Sequence, residues 1–195
     1  PDRGMYDAMN KGLALATGDI VGFLNADDQF ADSHVMEEVA SVIESEKVDA
    51  CYGDLVYVDN SDPTRVVRYW KSQSYRDGLF ENGWMPAHPT FYARRWVYDK
   101  YGGYDLAYRY QSDFELTMRF LRVNKISSTY IPHVLVKMRS GGASRGLWHI
   151  LMGNIESYRA CRRHSLDVSP LFIARKIFSR VPQFFLRGQA GTRTE

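Results

Sequence analysis

The stretch GDIVGFLNADDQF, residues 18–30, decides how the chain is read. A mostly apolar run, Ile20 to Leu24, has strand length and the unbroken hydrophobicity of a sheet covered on both faces. It runs straight into Asn25-Ala26-Asp27-Asp28. Adjacent carboxylates repel each other and are costly to bury. In open α/β sheets ligands bind beyond the carboxyl ends of strands, which is where Asp27 and Asp28 stand. Paired oxygens there suit a hard divalent cation, Mg²⁺ or Mn²⁺, with positions left over for phosphate oxygens. Asn-Ala-Asp-Asp is also good turn chemistry with solvated charges, and the local pattern leaves both readings open.

Working outward, residues 5–17 carry apolar side chains near the 3.6 period and predict a helix stopped at Gly18. A second helix is expected over 32–46, capped by Asp32 or Ser33, with glutamates in its first turn. Strands are predicted over 49–59, through RVVRYWK (65–71), at Thr90 to Ala93, and over STYIPHVLVKMR (128–139). A short helix ends at Gly102-Gly103, and SDFELTMRFLRVN, 112–124, reads as a clear helix with Ser112 or Asp113 near its cap. Strands alternating with helices predict an α/β layered domain over residues 1–146.

From residue 147 to 195 the composition changes to a tail of basic, aromatic, helical segments. Such helices suit an anionic membrane surface or pack on the core with their arginines in water. The segment 170–187 is the part expected at a membrane.

The bulk numbers exclude some classes. The 195 residues allow one domain with a real core, and 45% hydrophobic with 25% charged residues is a globular composition. A net charge of +2 with no recognisable nucleic-acid module argues against nucleic acid as a partner. Cys51 and Cys161 form no metal-spaced pair, and a reduced, cytoplasmic chain is the simplest reading. No run of about 18 apolar residues predicts a transmembrane helix. The chain starts at Pro1 without a signal peptide, so a missing amino-terminal part is expected.

PDRGMYDAMNKGLALATGDIVGFLNADDQF resembles the middle of the family 2 glycosyltransferases of GT-A fold. Asn10-Lys11-Gly12, Ala16, Gly18-Asp19 and Ala26-Asp27-Asp28 match in order and spacing. HPTFYARRWVYDKYGGYD and SDFELTMRF are similar to the same family, so the resemblance covers about residues 1–145. It departs at Asn25, where the family's acidic run begins with aspartate.

The resemblance implies a Rossmann-like layered sheet lacking its first β-α-β unit, the base-holding one. It implies metal-dependent, inverting transfer of a sugar from a nucleoside diphosphate to a hydroxyl of a glycan or lipid-linked acceptor. The setting implied is cell-surface polysaccharide synthesis at the inner face of the cytoplasmic membrane. The metal rests mainly on Asp28, with Asp27 nearer the ribose. Asn10 and Arg139 are assigned to the donor, the segment after Arg139 closing over the diphosphate. For the acceptor's base the resemblance points to Asp113.

Weaker candidates come from the residues themselves. His88 could touch acceptor, donor sugar or metal, or hold a loop. Asp54 could face the donor sugar or alternate outward on its strand. Tyr110 and Gln111 could line the acceptor site, Arg94 and Arg95 could meet phosphate, and Trp84 could stack on a sugar or sit in the core. Two other classes compete. One is a truncated transferase that only binds or interacts. The other is a carboxylate phosphatase or nucleotidyltransferase, disfavoured because Asn25-Ala26-Asp27 lacks the phosphoaspartate pattern.

Overall fold

A computed structural model describes residues 1–140, 147–169 and 171–178. The strands are β1 (Ile20–Val21), β2 (Gln29–Phe30), β3 (Ala50–Val58), β4 (Val66–Trp70), β5 (Tyr92–Arg94) and β6 (Ser128–Arg139). Among the described residues they form one sheet in the order β1-β5-β3-β6-β2, with β4 paired to the far half of β3. β3 and β6 run parallel along their length, from Ala50 opposite Ser128 to Val58 opposite Arg139. The other pairings are antiparallel.

Helices cover both faces. α2 (Val35–Ser45) lies on one side, its Val35, Val39 and Ile43 packed with Cys51, Leu55 and Leu135. On the other side are α1 (Met5–Leu15), α3 (Arg95–Tyr101), α4 (Ser112–Met118), α5 (Leu147–Arg163) and α6 (Phe172–Phe178). That core includes Ala50, Tyr52, Phe114, Cys161 and Phe172. Alternation along β3 thus sends Ala50 and Tyr52 to one core and Cys51 and Leu55 to the other.

Some elements depart from expectation. The strand foreseen over Ile20 to Leu24 stops at Val21. β5 can pair only Arg94 and Ala93 with it, because the chain before Tyr92 coils into a short 3₁₀ turn over His88–Thr90. Phe23 turns instead into an aromatic cluster with His88, Tyr98 and Tyr104. α2 starts later than foreseen: the Asp32 carboxylate accepts the His34 N–H at 2.7 Å, and His34 is the N-cap residue. The helix over 112–124 is α-helical only to Met118 and continues as a π turn over Arg119–Val123. Gly102 ends α3 at φ +84°, a backbone conformation that side chains disfavour.

The described part of the tail packs part of its surface on the core. In the segment 170–187 expected at a membrane, Phe172 and Lys176 are fully buried while Leu171 and Ile177 are exposed. α5 likewise buries Asn154, Glu156, Ser157, Ala160 and Cys161. Residues 179–187 lie outside the described part. No helix among the described residues is long and apolar enough to cross a membrane.

Candidate active site

Two groups of side chains flank the segment that leaves β1. The first is the acidic corner. Asp28 is buried and Asp27 is exposed. The Asn25 amide donates to Asp28 Oδ2 at 2.7 Å, so the residue that departs from the acidic run orients the carboxylate beside it. Asp28 Oδ1 is buried without a partner. Burial pushes the Asp28 carboxyl upward, opposed by the Asn25 amide, with Asp27 adding to the rise and the Arg139 backbone N–H opposing it. β2 pairs with the last turn of β6, Gln29 opposite Lys137, which brings Arg139 to this corner with its side chain exposed.

A buried carboxylate oxygen with no donor is costly unless something positive meets it. The donor set, hard oxygens from Asp28 and Asp27, fits a divalent cation better than a soft metal. Among the described residues no group of three or more His, Cys, Asp or Glu side chains could hold a metal unaided. A cation here would draw its remaining ligands from phosphate oxygens and water.

The second group surrounds Asp113. Its Oδ1 accepts the Tyr6 hydroxyl at 3.1 Å and the Phe114 N–H at 2.9 Å. Among the described residues no hydrogen bond reaches Oδ2. Tyr6 stacks on Tyr104, with ring centroids 5.4 Å apart, and the Tyr104 hydroxyl meets His88 Nε2 at 2.5 Å. Burial holds His88 below the ordinary imidazole range, while the nearby Asp113 charge pulls the other way. Burial, reinforced by Asp113, keeps the Tyr6 phenol protonated. Phe23 joins the two groups, its ring 5.4 Å from Tyr104 and only two residues before Asn25.

The remaining expected residues have other surroundings. Asn10 does not present its amide to a cleft: Nδ2 donates to the Tyr104 carbonyl and Oδ1 accepts the Tyr104 N–H, both at 2.8 Å. This clasp pins α1 beneath the loop that carries Tyr104. Asp54 does not alternate outward. It is buried, and it accepts the Tyr69 hydroxyl at 2.6 Å, the Ser72 N–H at 2.7 Å and the Tyr130 hydroxyl at 2.8 Å. Trp84 packs among Tyr52, Tyr75 and Phe80, its buried indole N–H unpartnered. The Tyr110 ring meets His149 of α5. Arg94 binds Glu44 and the carbonyls of Ile43 and Val48. Arg95 binds the Gly18 carbonyl and pairs with Asp99.

Several neighbours escaped the sequence reading. Tyr6 and Tyr104 were not singled out, because their partners Asp113 and His88 lie 107 and 16 residues away. Glu115, beside Asp113, is buried against Arg119 at 2.9 Å and His164 at 2.8 Å. Only the i, i+4 spacing of Glu115 and Arg119 was visible in advance. A cleft of about 270 Å³ opens beside this pair, lined by Gly103, Asp105 and Arg163 among others. It holds neither Asp28 nor Asp113.

A parallel β3–β6 pair between helical layers, with an acidic corner beyond the first strand, defines a GT-A nucleotide-sugar transferase fold. The chain belongs to glycosyl transferase family 2, whose sequence model matches residues 1–113. It is 31% identical over 144 residues to the PGL/p-HBAD biosynthesis glycosyltransferase of Mycobacterium bovis (strain BCG / Pasteur 1173P2), covering 69% of this chain and 50% of that protein. It is 32% identical over 124 residues to an uncharacterized glycosyltransferase of Mycobacterium tuberculosis (strain ATCC 25618 / H37Rv), covering 61% of this chain and 45% of the relative. The chain thus spans about half the length of the curated relatives it matches. Among solved structures, S. aureus TarS 1-349 in complex with UDP-GlcNAc superposes with TM-score 0.58 at 12% identity, over 97% of this chain and 55% of that one. Mannosyl-3-phosphoglycerate synthase from Rubrobacter xylanophilus gives TM-score 0.50 at 17% identity, over 83% of this chain and 51% of that one.

Proposed function

We propose that the chain carries the catalytic half of a metal-dependent, inverting glycosyltransferase. In this reading a sugar passes from a nucleoside diphosphate to a hydroxyl of a glycan or lipid-linked acceptor in cell-surface polysaccharide synthesis. The observation that carries the reading is the Asp113 carboxylate, fixed through Oδ1 by two donors with Oδ2 left over. A carboxylate so oriented can take a hydroxyl proton as the oxygen attacks. Attack opposite the leaving diphosphate is one displacement and inverts the anomeric carbon.

Asp28 and Asp27 would hold the Mg²⁺ or Mn²⁺ ion, which when bound supplies Lewis-acid neutralisation of the diphosphate. Arg139, at the same corner, adds a positive charge for phosphate. His88, kept neutral by burial, orients Tyr104 and the aromatic wall without adding charge beside the base. TarS structures in complex with UDP and UDP-GlcNAc support a uridine donor as the first to test. On α5 the exposed Trp148 and Leu151 share a face with the exposed Arg159 and Arg162. That mixture of apolar and basic groups supports work at the inner face of a membrane with a lipid-linked acceptor.

The test is turnover of UDP-GlcNAc with Mn²⁺ by the intact gene product. UDP release that falls at least 100-fold in Asp113→Asn, with donor affinity unchanged, is expected. If neither UDP-sugars nor GDP-sugars bind the intact protein, the transferase reading fails and a non-catalytic remnant remains.

A further inference from the structure

We propose that Glu156 of α5, backed by Lys176 of α6, is a positioning residue for the Asp113 carboxylate. The tail helices then complete the acceptor side of the site. This inference rests on the transferase reading above.

Glu156 is buried at 8% exposure, and its carboxylate spans three consecutive amides. Oε1 accepts the Arg109 N–H at 3.0 Å, and Oε2 accepts the Tyr110 N–H at 2.7 Å and the Gln111 N–H at 3.0 Å. Successive N–H groups turned to one side make a concave anion site, which a carboxylate fills. These amides immediately precede α4, whose N-cap residue is Gln111 and whose second residue is Asp113. The side chain of the N-cap residue Gln111 makes no capping hydrogen bond. The anion at its start comes from a helix more than forty residues away.

The Gln111 side chain is gripped as well. Its Oε1 accepts the Ser157 hydroxyl at 3.0 Å and the Lys176 ammonium at 2.9 Å. Lys176 also hydrogen-bonds Ser157, and its ammonium stands 4.2 Å from the centre of the Phe114 ring. Phe114 is the residue whose N–H holds Asp113 Oδ1. Gly83, at φ +81°, lets the Lys176 stem pass where a side chain would collide with it. Asp113 is thus clasped from both sides in sequence: 109–111 by Glu156, and Phe114 by Lys176. Packing alone would need an apolar contact here. A fully hydrogen-bonded buried network fixes direction as well as distance.

The experiment uses the intact gene product and Glu156→Gln, with Glu156→Asp as the conservative variant. Ser157→Ala serves as a second route should Glu156→Gln fold poorly. Three quantities are read: turnover of UDP-GlcNAc with Mn²⁺, UDP-GlcNAc affinity, and hydrogen exchange of the amides of Arg109, Tyr110 and Gln111. Glu156→Gln puts an NH₂ against amide N–H groups. It is expected to lower kcat by roughly 10- to 100-fold, the scale of a misplaced reacting group. Donor affinity should stay within about twofold, and exchange at 109–111 should quicken at least tenfold. Glu156→Asp should recover part of kcat, and Ser157→Ala should lose about two- to fivefold. An active wild type whose Glu156→Gln and Ser157→Ala variants keep full kcat overturns the positioning role. So does unchanged exchange at 109–111. A wild type that releases no UDP contradicts the transferase reading, and this inference falls with it for that separate reason.

Discussion

The Tyr6 hydroxyl donates to Asp113 Oδ1 at 3.1 Å, joining the first helix of the chain to the start of α4 across 107 residues. The contact sets which carboxylate oxygen is occupied and which is left for chemistry. Tyr6→Phe keeps the ring stacked on Tyr104 and removes only the donor. We expect kcat to fall roughly 10- to 150-fold, in line with one lost hydrogen bond to a charged group, with donor affinity unchanged. Steady-state turnover beside donor titration checks this.

Asn10 clasps Tyr104 by both its backbone groups. Asn10→Ala leaves those groups unpaired in a partly buried place. We expect a loss of roughly 1–3 kcal/mol in urea unfolding. Metal-nucleotide affinity should hold, because the acidic corner lies on a different segment. A loss of affinity with no loss of stability would mean that Asn10 meets the donor after all.

Asp54 takes three donors, and Asp54→Ala strands the Tyr69 and Tyr130 hydroxyls and the Ser72 N–H. Destabilisation of about 3–5 kcal/mol is expected, since each buried donor left unsatisfied costs about 1–3 kcal/mol. Thermal unfolding should show a large drop in Tm or failure to accumulate folded protein.

Glu115 gives the fold a defined acid sensitivity. Burial alone would push its carboxyl up, but the His164 and Arg119 hydrogen bonds outweigh it and hold the group below its ordinary value of 4.5. The unfolded chain therefore binds this proton more readily than the folded one. The stabilisation is complete above the ordinary value and is lost as pH falls through the lower folded one. Wild type should exceed Glu115→Gln by about 2–4 kcal/mol at pH 7. The gap should close as pH drops below about 4.5. Urea midpoints over that range test the sign.

Much of this was legible because periodicity and turn chemistry are local. β6 runs over the predicted Ser128–Arg139, and α2 keeps its apolar stripe Val35, Val39, Ile43. β1 was overestimated because a strand's length depends on how far its partner extends, and β5 leaves off at Tyr92. The acidic corner could be read because Asp27 and Asp28 are neighbours in sequence. The Asp54 clasp and the Glu156 anchor could not, since their partners lie 15 to 76 and 45 to 47 residues away. The packing of the tail could not be read for a related reason. A basic amphipathic helix has the same pattern whether its apolar face meets lipid or a core, and Lys176 is a charge that pattern would put in water.

The central claim is that Asp28 grips a divalent cation that carries the donor's diphosphate. Isothermal titration of the intact protein with UDP in the presence of Mn²⁺ tests it most directly. The account predicts saturable binding that weakens at least 100-fold in Asp28→Ala and persists in Asp113→Asn. Equal UDP affinity in wild type and Asp28→Ala, both with Mn²⁺ present, would contradict it.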